Sequence, residues 1–314
     1  MRKKGDSMKN FVGFWKNTWK NRELVVMALP ALILMIMFSY VPMYGVVLAF
    51  KKFNYMQGFN SPWCGLDNFK YMFLVSNTFW RMTRNTVGYF LLFTIVGTIG
   101  KVLLAIGLNE MMFKRSAKLF QSCMVLPHFI SYIAVSFVVY ALLKRNGGIV
   151  NQIIEHFGGT KINFYAEAKW WPMILLIVNE WKGLGYGSVL YLSVLVGIDP
   201  GLYEAASLDG ANAWNKMIHI TIPMLVPMIV ITTLLGLGNI MQSNTGLFYQ
   251  VTKNSGALYK TTQVLDTYVL NAIKSGSNFG TTAAATFYQS IVGTFMIVMT
   301  NLVVRKISPD NAIF

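Results

Sequence analysis

The chain has 314 residues, of which 54% are hydrophobic and only 12% are charged, and its mean hydropathy is +0.48. Soluble domains carry roughly 25% charged residues, so this deficit excludes an ordinary soluble protein and indicates an integral membrane protein. The formal net charge is +15. The Lys and Arg residues lie scattered at the ends of apolar segments, so we predict contacts with the lipid bilayer and no nucleic-acid partner.

The first 23 residues place basic and aromatic side chains ahead of an apolar run. Phe11, Trp15 and Trp19 are spaced four apart and share one helical face, while lysines fall toward the opposite face. This pattern predicts an amphipathic helix at the membrane interface over residues 1–23. The apolar run that follows is longer than a signal-peptide core and has no small-residue cleavage site, so we expect it to be retained as a span.

Six apolar segments are each long enough to cross a membrane, which takes about 18 or more residues. They occupy roughly 24–50, 86–108, 119–143, 171–196, 222–240 and 283–304. They predict an all-α integral membrane protein with a six-helix domain over 24–304 and a tail over 305–314. Glu180 and Lys182 interrupt the fourth segment. Pro127 lies inside the third, and membrane helices tolerate such a proline because neighbouring groups satisfy the freed backbone.

The distribution of basic residues predicts the orientation of these spans. Lys and Arg are concentrated in residues 1–23, in the loop after the second span and just after the last span. The positive-inside rule therefore places both termini in the cytoplasm. The predicted outer loops, 51–85, 144–170 and 241–282, also carry basic residues. These include Lys51, Lys52, Lys144 and Arg145.

The predicted cytoplasmic loop over 200–222 contains two short helical pieces. The first follows the turn at Asp199 and includes the small residues Ala205 and Ala206, which permit close approach of another surface. Gly210 allows a bend between the pieces, and we expect the second piece to end before Pro223 opens the fifth span. Two short helices joined in this way form a rigid unit that can transmit force between domains.

This stretch resembles the EAA loop of ABC-importer permeases. Glu204-Ala205-Ala206 is followed after three residues by Gly210, and after nine more by Ile220-Thr221-Ile222-Pro223, with Ile222 where Leu is usual. The resemblance implies the fold of a type I ABC importer permease, whose coupling helix docks on a separate ATPase subunit. The docking residues that it implies are Glu204, Ala205, Ala206 and Gly210. The apolar contacts that we predict beside them are Leu208, Ala213, Trp214 and Met217.

Three further stretches resemble the carbohydrate branch of this family, the oligosaccharide and polysaccharide permeases of Gram-positive bacteria. They are Trp-Cys-Gly-Leu-Asp-Asn-Phe at 63–69, Leu-Pro-His-Phe-Ile-Ser at 126–131 and Phe-Tyr-Gln-Ser at 287–290. The resemblance covers nearly the whole chain and implies uptake of a carbohydrate, expected to be an oligosaccharide. It implies a location in the plasma membrane of a Gram-positive bacterium. The implied partners are a second, paralogous permease subunit, two ATP-binding subunits and an extracellular lipoprotein that binds the sugar.

The chain offers no catalytic or metal-binding pattern of its own. It contains no G-x-x-x-x-G-K-[ST] segment, so we predict that it is not an enzyme, binds no cofactor and leaves ATP and Mg to its partner subunits. Its three histidines are far apart, and Cys64 and Cys123 lie in different segments, so we predict neither a metal site nor a disulfide.

Polar and aromatic residues near the outer half of the bundle are candidates for a substrate path, because sugars require hydrogen bonds and flat apolar faces. The candidates are Tyr89, Tyr140, Asn179, Glu180, Trp181, Asn239, Gln242 and Asn244. Packing is the alternative role of each aromatic or Asn residue. Glu180 has two further alternatives, a structural ion pair with Lys101 between the fourth and second spans or a position facing a water-filled cavity.

Two other classes of protein compete with the importer hypothesis. A secondary transporter driven by an ion gradient commonly shows internal repeats and paired broken helices. No repeat is evident here, and uptake driven by an ion gradient without ATP would favour this class. An intramembrane enzyme requires a nucleophile–base or metal constellation, which the placement of His, Cys and Asp does not supply.

Overall fold

The computed structural model describes residues 20–75, 77–111, 113–276 and 279–307. Within these residues the regular structure is helical apart from one isolated β-bridge between Lys51 and Trp63. The α-helices of the described chain are α1 Arg22–Met35, α2 Asp67–Lys70, α3 Asn77–Asn109, α4 Lys114–Val125, α5 Tyr132–Leu143, α6 Ile149–His156, α7 Trp171–Val196, α8 Pro200–Leu208, α9 Ala213–Lys216, α10 Ile222–Leu237, α11 Tyr259–Thr262, α12 Leu265–Lys274 and α13 Phe279–Ile307. The predicted interfacial helix falls mainly on residues 1–19, outside the described residues.

The predicted membrane spans correspond to helical segments. In the described chain, four helical stretches are long and apolar enough to cross a membrane: Arg22–Phe50, Asn77–Asn109, Ala213–Leu237 and Phe279–Arg305. Two bent pairs raise the number to six if each is one span. They join Arg115–Phe129 to Tyr132–Leu143 and Ala168–Val196 to Pro200–Leu208. The prediction of an all-α membrane protein with six spans is confirmed on this counting.

The third span is broken next to Pro127. α4 tightens into a 3₁₀ turn over Leu126–Phe129, and the chain turns by 98° before α5 begins. Ser131 caps α5 by accepting a hydrogen bond from the backbone N–H of Ala134 at 3.3 Å. The carbonyls left unpaired by this break require donors, because a membrane supplies no water to them.

Lys182 supplies those donors. Its Nζ donates hydrogen bonds to the carbonyl oxygens of Pro127 at 2.9 Å and His128 at 3.2 Å, and to that of Ile130. The ammonium is buried and also lies over the ring of Tyr132. Lys182, the basic residue that interrupts the apolar sequence of the fourth span, therefore stabilises the break in the third span.

The alternative of an ion pair between Glu180 and Lys101 is not formed in the structure. Oε1 of Glu180 accepts a hydrogen bond from Nδ2 of Asn179 at 2.9 Å, and its carboxylate lies against Gly97 of α3. The stem of Lys101 packs against Gly187 of α7. α3 and α7 approach closely at these glycines, which brings each long side chain onto the facing backbone and keeps the two charged groups apart.

The predicted outer loop at 241–282 is rich in Gly, Ser, Thr and Asn. It is largely helical, with a π-helical turn at Gly246–Val251 followed by α11 and α12. Leu247, Phe248 and Val264 of this segment are buried with Tyr89 of α3 and Trp171 of α7 in one hydrophobic cluster. This cluster lies at the end of the bundle where α3 begins, which we call the far end. The opposite end, where α3 finishes beside residues 200–222, is the coupling end.

Two of the motifs identified in the sequence tie the far end together. Nδ2 of buried Asn68 donates to the carbonyls of Ala49 and Lys51, which closes the end of the first span. Nε2 of Gln289 donates to the carbonyl of Met241 at 2.7 Å and to Oδ1 of Asp266 at 3.2 Å. The side-chain amides of Asn68 and Gln289 thus donate to backbone carbonyls at helix ends, where no backbone N–H is available.

Candidate functional site

The coupling loop, residues 200–222, begins with a capped helix. Asp199 caps α8 by accepting a hydrogen bond from the N–H of Gly201 at 2.9 Å. After α8 the chain reverses at Gly210, whose φ of +80° is a conformation that residues with a side chain rarely adopt. Asn212 then caps α9 by accepting from the N–H of Asn215 at 2.8 Å. Both caps and the glycine turn are encoded locally by residue type.

Hydrogen bonds fix α8 to the segment that follows it. The hydroxyl of Tyr203 is bonded to Oγ1 of Thr221 at 3.0 Å, which joins α8 to the start of the next span. Nζ of Lys216 donates to Oγ of Ser207 at 2.6 Å, and the N–H of Ala211 donates to the carbonyl of Ala206 at 2.9 Å. These bonds make the loop a braced unit, as the sequence predicted.

The prediction that the second helical piece stops before Pro223 is wrong. Ala213–Leu237 is one helical stretch, in which α9 passes through a π-helical turn at Met217–Thr221 into α10. Pro223 lies in the first turn of α10. The wider hydrogen-bonding pattern of the π turn accommodates the missing N–H of the proline without a break. The coupling loop is therefore continuous with the fifth span.

Most of the residues predicted to dock on an ATPase are exposed. Leu208 is 90% exposed and Trp214 is 64% exposed, although both are apolar. The other exposed members are Glu204, Ala205, Gly210 and Ala213, while Ala206 and Met217 are half-buried. Apolar side chains presented beside small ones on a rigid helix are typical of a surface that binds another protein.

A recess of about 630 Å³ separates the coupling loop from the last turn of α3. Ile106, Asn109 and Glu110 line one wall, and Tyr203, Trp214 and Met217 line the other. The recess leaves one side of Trp214 and Met217 accessible, so these two residues face both the bundle and its surroundings. Movement of the coupling loop would change the width of this recess.

A second, polar cavity of about 310 Å³ lies within the bundle. Four predicted substrate-path residues line it: Tyr89, Asn179, Gln242 and Asn244. The structure thus brings together residues from α3, α7 and the segment after α10. The buried hydroxyl of Tyr89 has no hydrogen-bond partner within the described residues, so it is available to a ligand in the cavity.

The other four predicted residues do not line this cavity. Tyr140 packs edge-to-face on Tyr165 and lies under the ammonium of Lys253. Glu180 faces Gly97, and both Trp181 and Asn239 are exposed on the surface of the described chain. Their proposed role in a substrate path stays a prediction.

Several residues that line the polar cavity were not identified from the sequence. Thr86, Phe90, Thr94 and Thr98 of α3 recur every four residues and share one face of the helix with Lys101. A threonine stripe inside an apolar run is the signal that would have found them. The cavity rim is completed by Ser243, whose N–H and hydroxyl both donate to Oδ2 of Asp266.

Comparison with known proteins identifies the family. Residues 101–309 match the model of the binding-protein-dependent transport system inner membrane component. The chain belongs to this family. Its members are transport permeases and not enzymes.

Similar proteins span nearly the whole chain. The polygalacturonan/rhamnogalacturonan transport system permease protein YteP of Bacillus subtilis (strain 168) is 30% identical over 93% of this chain and 90% of its own length. LplB of the same organism is 31% identical over 93% and 91% of the two chains. A permease chain in the crystal structure of a bacterial ABC transporter that imports the acidic polysaccharide alginate superposes with a TM-score of 0.86. It is 30% identical over 94% of this chain and 99% of that chain.

A second structure of the alginate transporter, in complex with its pentasaccharide-bound periplasmic protein, gives a TM-score of 0.84 at 30% identity, covering 94% of this chain and 98% of that chain. The fold is therefore that of an ABC importer permease, and the chain is a multi-pass membrane protein. Because the chain belongs to a family of binding-protein-dependent transporters, the alternative hypothesis of a secondary transporter driven by an ion gradient has no support.

Proposed function

We propose that this chain is a permease subunit of an ATP-driven importer that takes up an oligosaccharide delivered by an extracellular binding protein. One observation carries the proposal: a braced, exposed coupling loop continues directly into a membrane span that borders a polar cavity. The similar proteins that transport polygalacturonan, rhamnogalacturonan and alginate support a carbohydrate as the cargo.

The coupling loop would transmit force from an ATPase to the bundle. α8 is capped at Asp199 and bonded through Tyr203 to Thr221, so a push on its exposed surface moves the base of α10. Ala205 has a small side chain and Gly210 has none, so both positions allow close contact with the partner subunit. Exposed Leu208 and Trp214 supply apolar surface to the same contact. ATP and Mg would be bound by the partner subunits, and this chain would hydrolyse nothing.

The polar cavity would form part of the sugar path. Tyr89 and Phe248 present aromatic faces, and Asn179, Gln242 and Asn244 present amides that donate to or accept from sugar hydroxyls. Asn244 is oriented by its bond to the hydroxyl of Tyr132 at 2.9 Å. Because Tyr132 opens α5 just after the break in the third span, movement of that break would alter the cavity.

The assembly would include a second permease subunit, two ATP-binding subunits and an extracellular lipoprotein that binds the sugar. The first span supports a further membrane partner: α1 is apolar and contains no buried residue within this chain. The location would be the plasma membrane of a Gram-positive bacterium, with both termini in the cytoplasm. The far end of the bundle would then face the exterior and receive the binding protein.

The first test is co-purification of the tagged chain from its native membrane in mild detergent, with mass spectrometry of what accompanies it. The expected result is a nucleotide-binding subunit together with a second six-span permease. A chain recovered alone, or only with copies of itself, would contradict the proposal.

A substitution then tests the coupling surface. We expect Ala205→Trp to prevent recovery of the ATPase subunit, because the added ring occupies the close contact at an exposed small residue. Ala166→Trp is the matched control, since Ala166 is also an exposed alanine and lies in a loop at the far end. Equal recovery of the ATPase with both variants would exclude Ala205 from the docking surface.

A further inference from the structure

Lys101 places an uncompensated cation in the polar cavity. It lies on α3, is half-buried and lines the cavity together with Thr94 and Thr98. Within the described residues its ammonium makes no hydrogen bond or ion pair, and none of the described residues that line the cavity carries a carboxylate. Glu180, the partner considered from the sequence, is turned toward Gly97 instead.

The position of Lys101 marks one end of the cavity. Cavity-lining residues of α3 extend from Thr86 to Lys101, a distance of about 22 Å at the rise of an α-helix. Asn109, the last residue of α3, lies about 12 Å further along the axis. A solute that enters from the far end and passes the amides of Gln242 and Asn244 therefore meets the ammonium before it leaves the bundle.

The loops at the far end carry an excess of positive charge, the same sign as that of Lys101. Residues 51–85, 144–170 and 241–282 together contain twelve Lys and Arg but only four Asp and Glu. Three of those carboxylates are paired with neighbouring lysines, in Asp67–Lys70, Glu155–Lys161 and Glu167–Lys169. The fourth, Asp266, accepts hydrogen bonds from Ser243 and Gln289. Nine basic residues of the described loops are left without a carboxylate partner.

No carboxylate of the described chain neutralises either Lys101 or the nine remaining far-end cations, although some of those cations contact aromatic rings, as Lys253 does at Tyr140. A cation in a membrane span is costly and is normally paired or placed at a functional site. Basic residues in loops outside the membrane oppose the charge rule that orients spans. An anionic solute that passes from the far end through the cavity accounts for both, because it meets positive charge at the entrance and again at Lys101.

We propose that the path is selective for oligosaccharides that bear carboxylates, the uronic acids, and that Lys101 is a specificity-determining residue that binds the sugar carboxylate. This rests on the proposed import of an oligosaccharide. The ammonium offers up to three donors to a carboxylate, while the threonine hydroxyls on the same face of α3 and the amides across the cavity bind the sugar hydroxyls. A neutral sugar would leave the ammonium unpaired and would pass less readily.

The test uses the full importer, with its ATPase, second permease and binding protein, in sealed vesicles supplied with ATP. The probes are a mixture of trigalacturonate and galactotriose, which match in length and differ in their carboxylates, together with mixed acidic and neutral oligosaccharides from plant cell-wall hydrolysate. Mass spectrometry identifies what is imported. We expect uronate-containing oligosaccharides to dominate the imported material.

Three variants assign the selectivity to Lys101. Lys101→Met keeps the stem that packs on Gly187, and we expect it to lower uronate import about tenfold or more relative to neutral oligosaccharides. Lys101→Arg keeps the charge and should retain most of the import. Leu103→Met, at an exposed position of the same helix, is the control and should transport normally.

The outcomes separate this inference from the proposed function. Import of neutral oligosaccharides as readily as acidic ones by the unaltered importer, or full uronate import by Lys101→Met, would overturn the role of Lys101 and leave sugar import intact. If Lys101→Met fails to assemble, equal import of acidic and neutral oligosaccharides by the unaltered importer would still overturn the selectivity of the path. Absence of any imported oligosaccharide would contradict the proposed function itself.

Discussion

At Gly185 the absence of a side chain sets the distance between two membrane helices. A Cβ built on this residue of α7 would lie 1.9 Å from the carbonyl oxygen of Met124 in α4, which is backbone and cannot turn away. Gly183, two residues earlier, has open space at the same position. Small residues favour close packing of membrane helices, but sequence alone does not distinguish the two glycines, because the contact depends on which face of α7 meets α4.

This difference predicts that substitution of the two glycines by alanine has different effects on stability. Gly185→Ala should lower the thermal stability of the detergent-purified protein, by about 1–3 kcal/mol, because the two helices must separate. Gly183→Ala should leave it unchanged or raise it by about 0.5–1 kcal/mol, because alanine favours a helix over glycine. Thermal unfolding of both variants, followed by tryptophan fluorescence, checks the pair. Equal melting temperatures would show that α4 and α7 are not in close contact at Gly185.

Lys182 illustrates what residue-level sequence reasoning missed. Hydropathy marked it as an interruption in the fourth span. The carbonyls that Lys182 binds belong to residues more than fifty positions away, at a break that the sequence did not predict. A partner at that separation follows from the packing of the spans and not from local pattern.

At the scale of elements, the coupling loop was predicted well where the signal is local. Asp199, Gly210 and Asn212 act as cap, turn and cap, which are roles set by residue type. The assumed break before Pro223 failed, because a π turn absorbs the proline. Because α9 continues into α10, no hinge separates the docking surface from the fifth span, and a force on the coupling loop is transmitted directly to that span.

The brace between Tyr203 and Thr221 is the element-scale test of coupling. Tyr203→Phe removes one hydrogen bond of 3.0 Å, a loss of about 1 kcal/mol. We expect the variant to assemble with its ATPase but to transport several-fold less substrate per ATP hydrolysed. Uptake and phosphate release, measured together in proteoliposomes, give this ratio.

A double-mutant cycle identifies the interaction. Thr221→Val should reproduce the effect of Tyr203→Phe, and the double variant should be no worse than either single one, because both remove the same bond. Tyr249→Phe, which removes a hydroxyl at the far end that accepts a bond from Lys274, is the control and should leave the ratio unchanged. Fully additive losses in the double variant would separate the two residues and reject the brace.

At the scale of the whole molecule, hydropathy alone predicted the class, the number of spans and their approximate positions. Helices that must satisfy their own backbone in lipid leave a strong one-dimensional signal. The core at the far end was not predicted, because Leu247, Phe248 and Val264 come from a segment rich in Gly, Ser, Thr and Asn. Their burial depends on contacts with α3 and α7 that lie far away in the sequence.

The orientation of the molecule remains the prediction on which the coupling and entry arguments both depend. It follows from the basic residues near the termini, although the far-end loops are also basic. Leu208 and Phe157 report on the two ends, because they are 90% and 83% exposed and lie on the coupling loop and on the far-end loop after α6, respectively. A cysteine at each position, in a chain with Cys64→Ser and Cys123→Ser, makes the ends distinguishable.

In intact cells, a membrane-impermeant maleimide should label Phe157→Cys and leave Leu208→Cys unlabelled. In inside-out vesicles stripped of peripheral proteins the pattern should reverse, because removal of a docked ATPase exposes Leu208→Cys to the reagent. The chain with neither cysteine is the background control. Labelling of Leu208→Cys from outside intact cells would show that the orientation is the reverse of the predicted one. The coupling loop would then lie outside the cell, where no ATP is available, and ATP-driven coupling through α8 would be rejected.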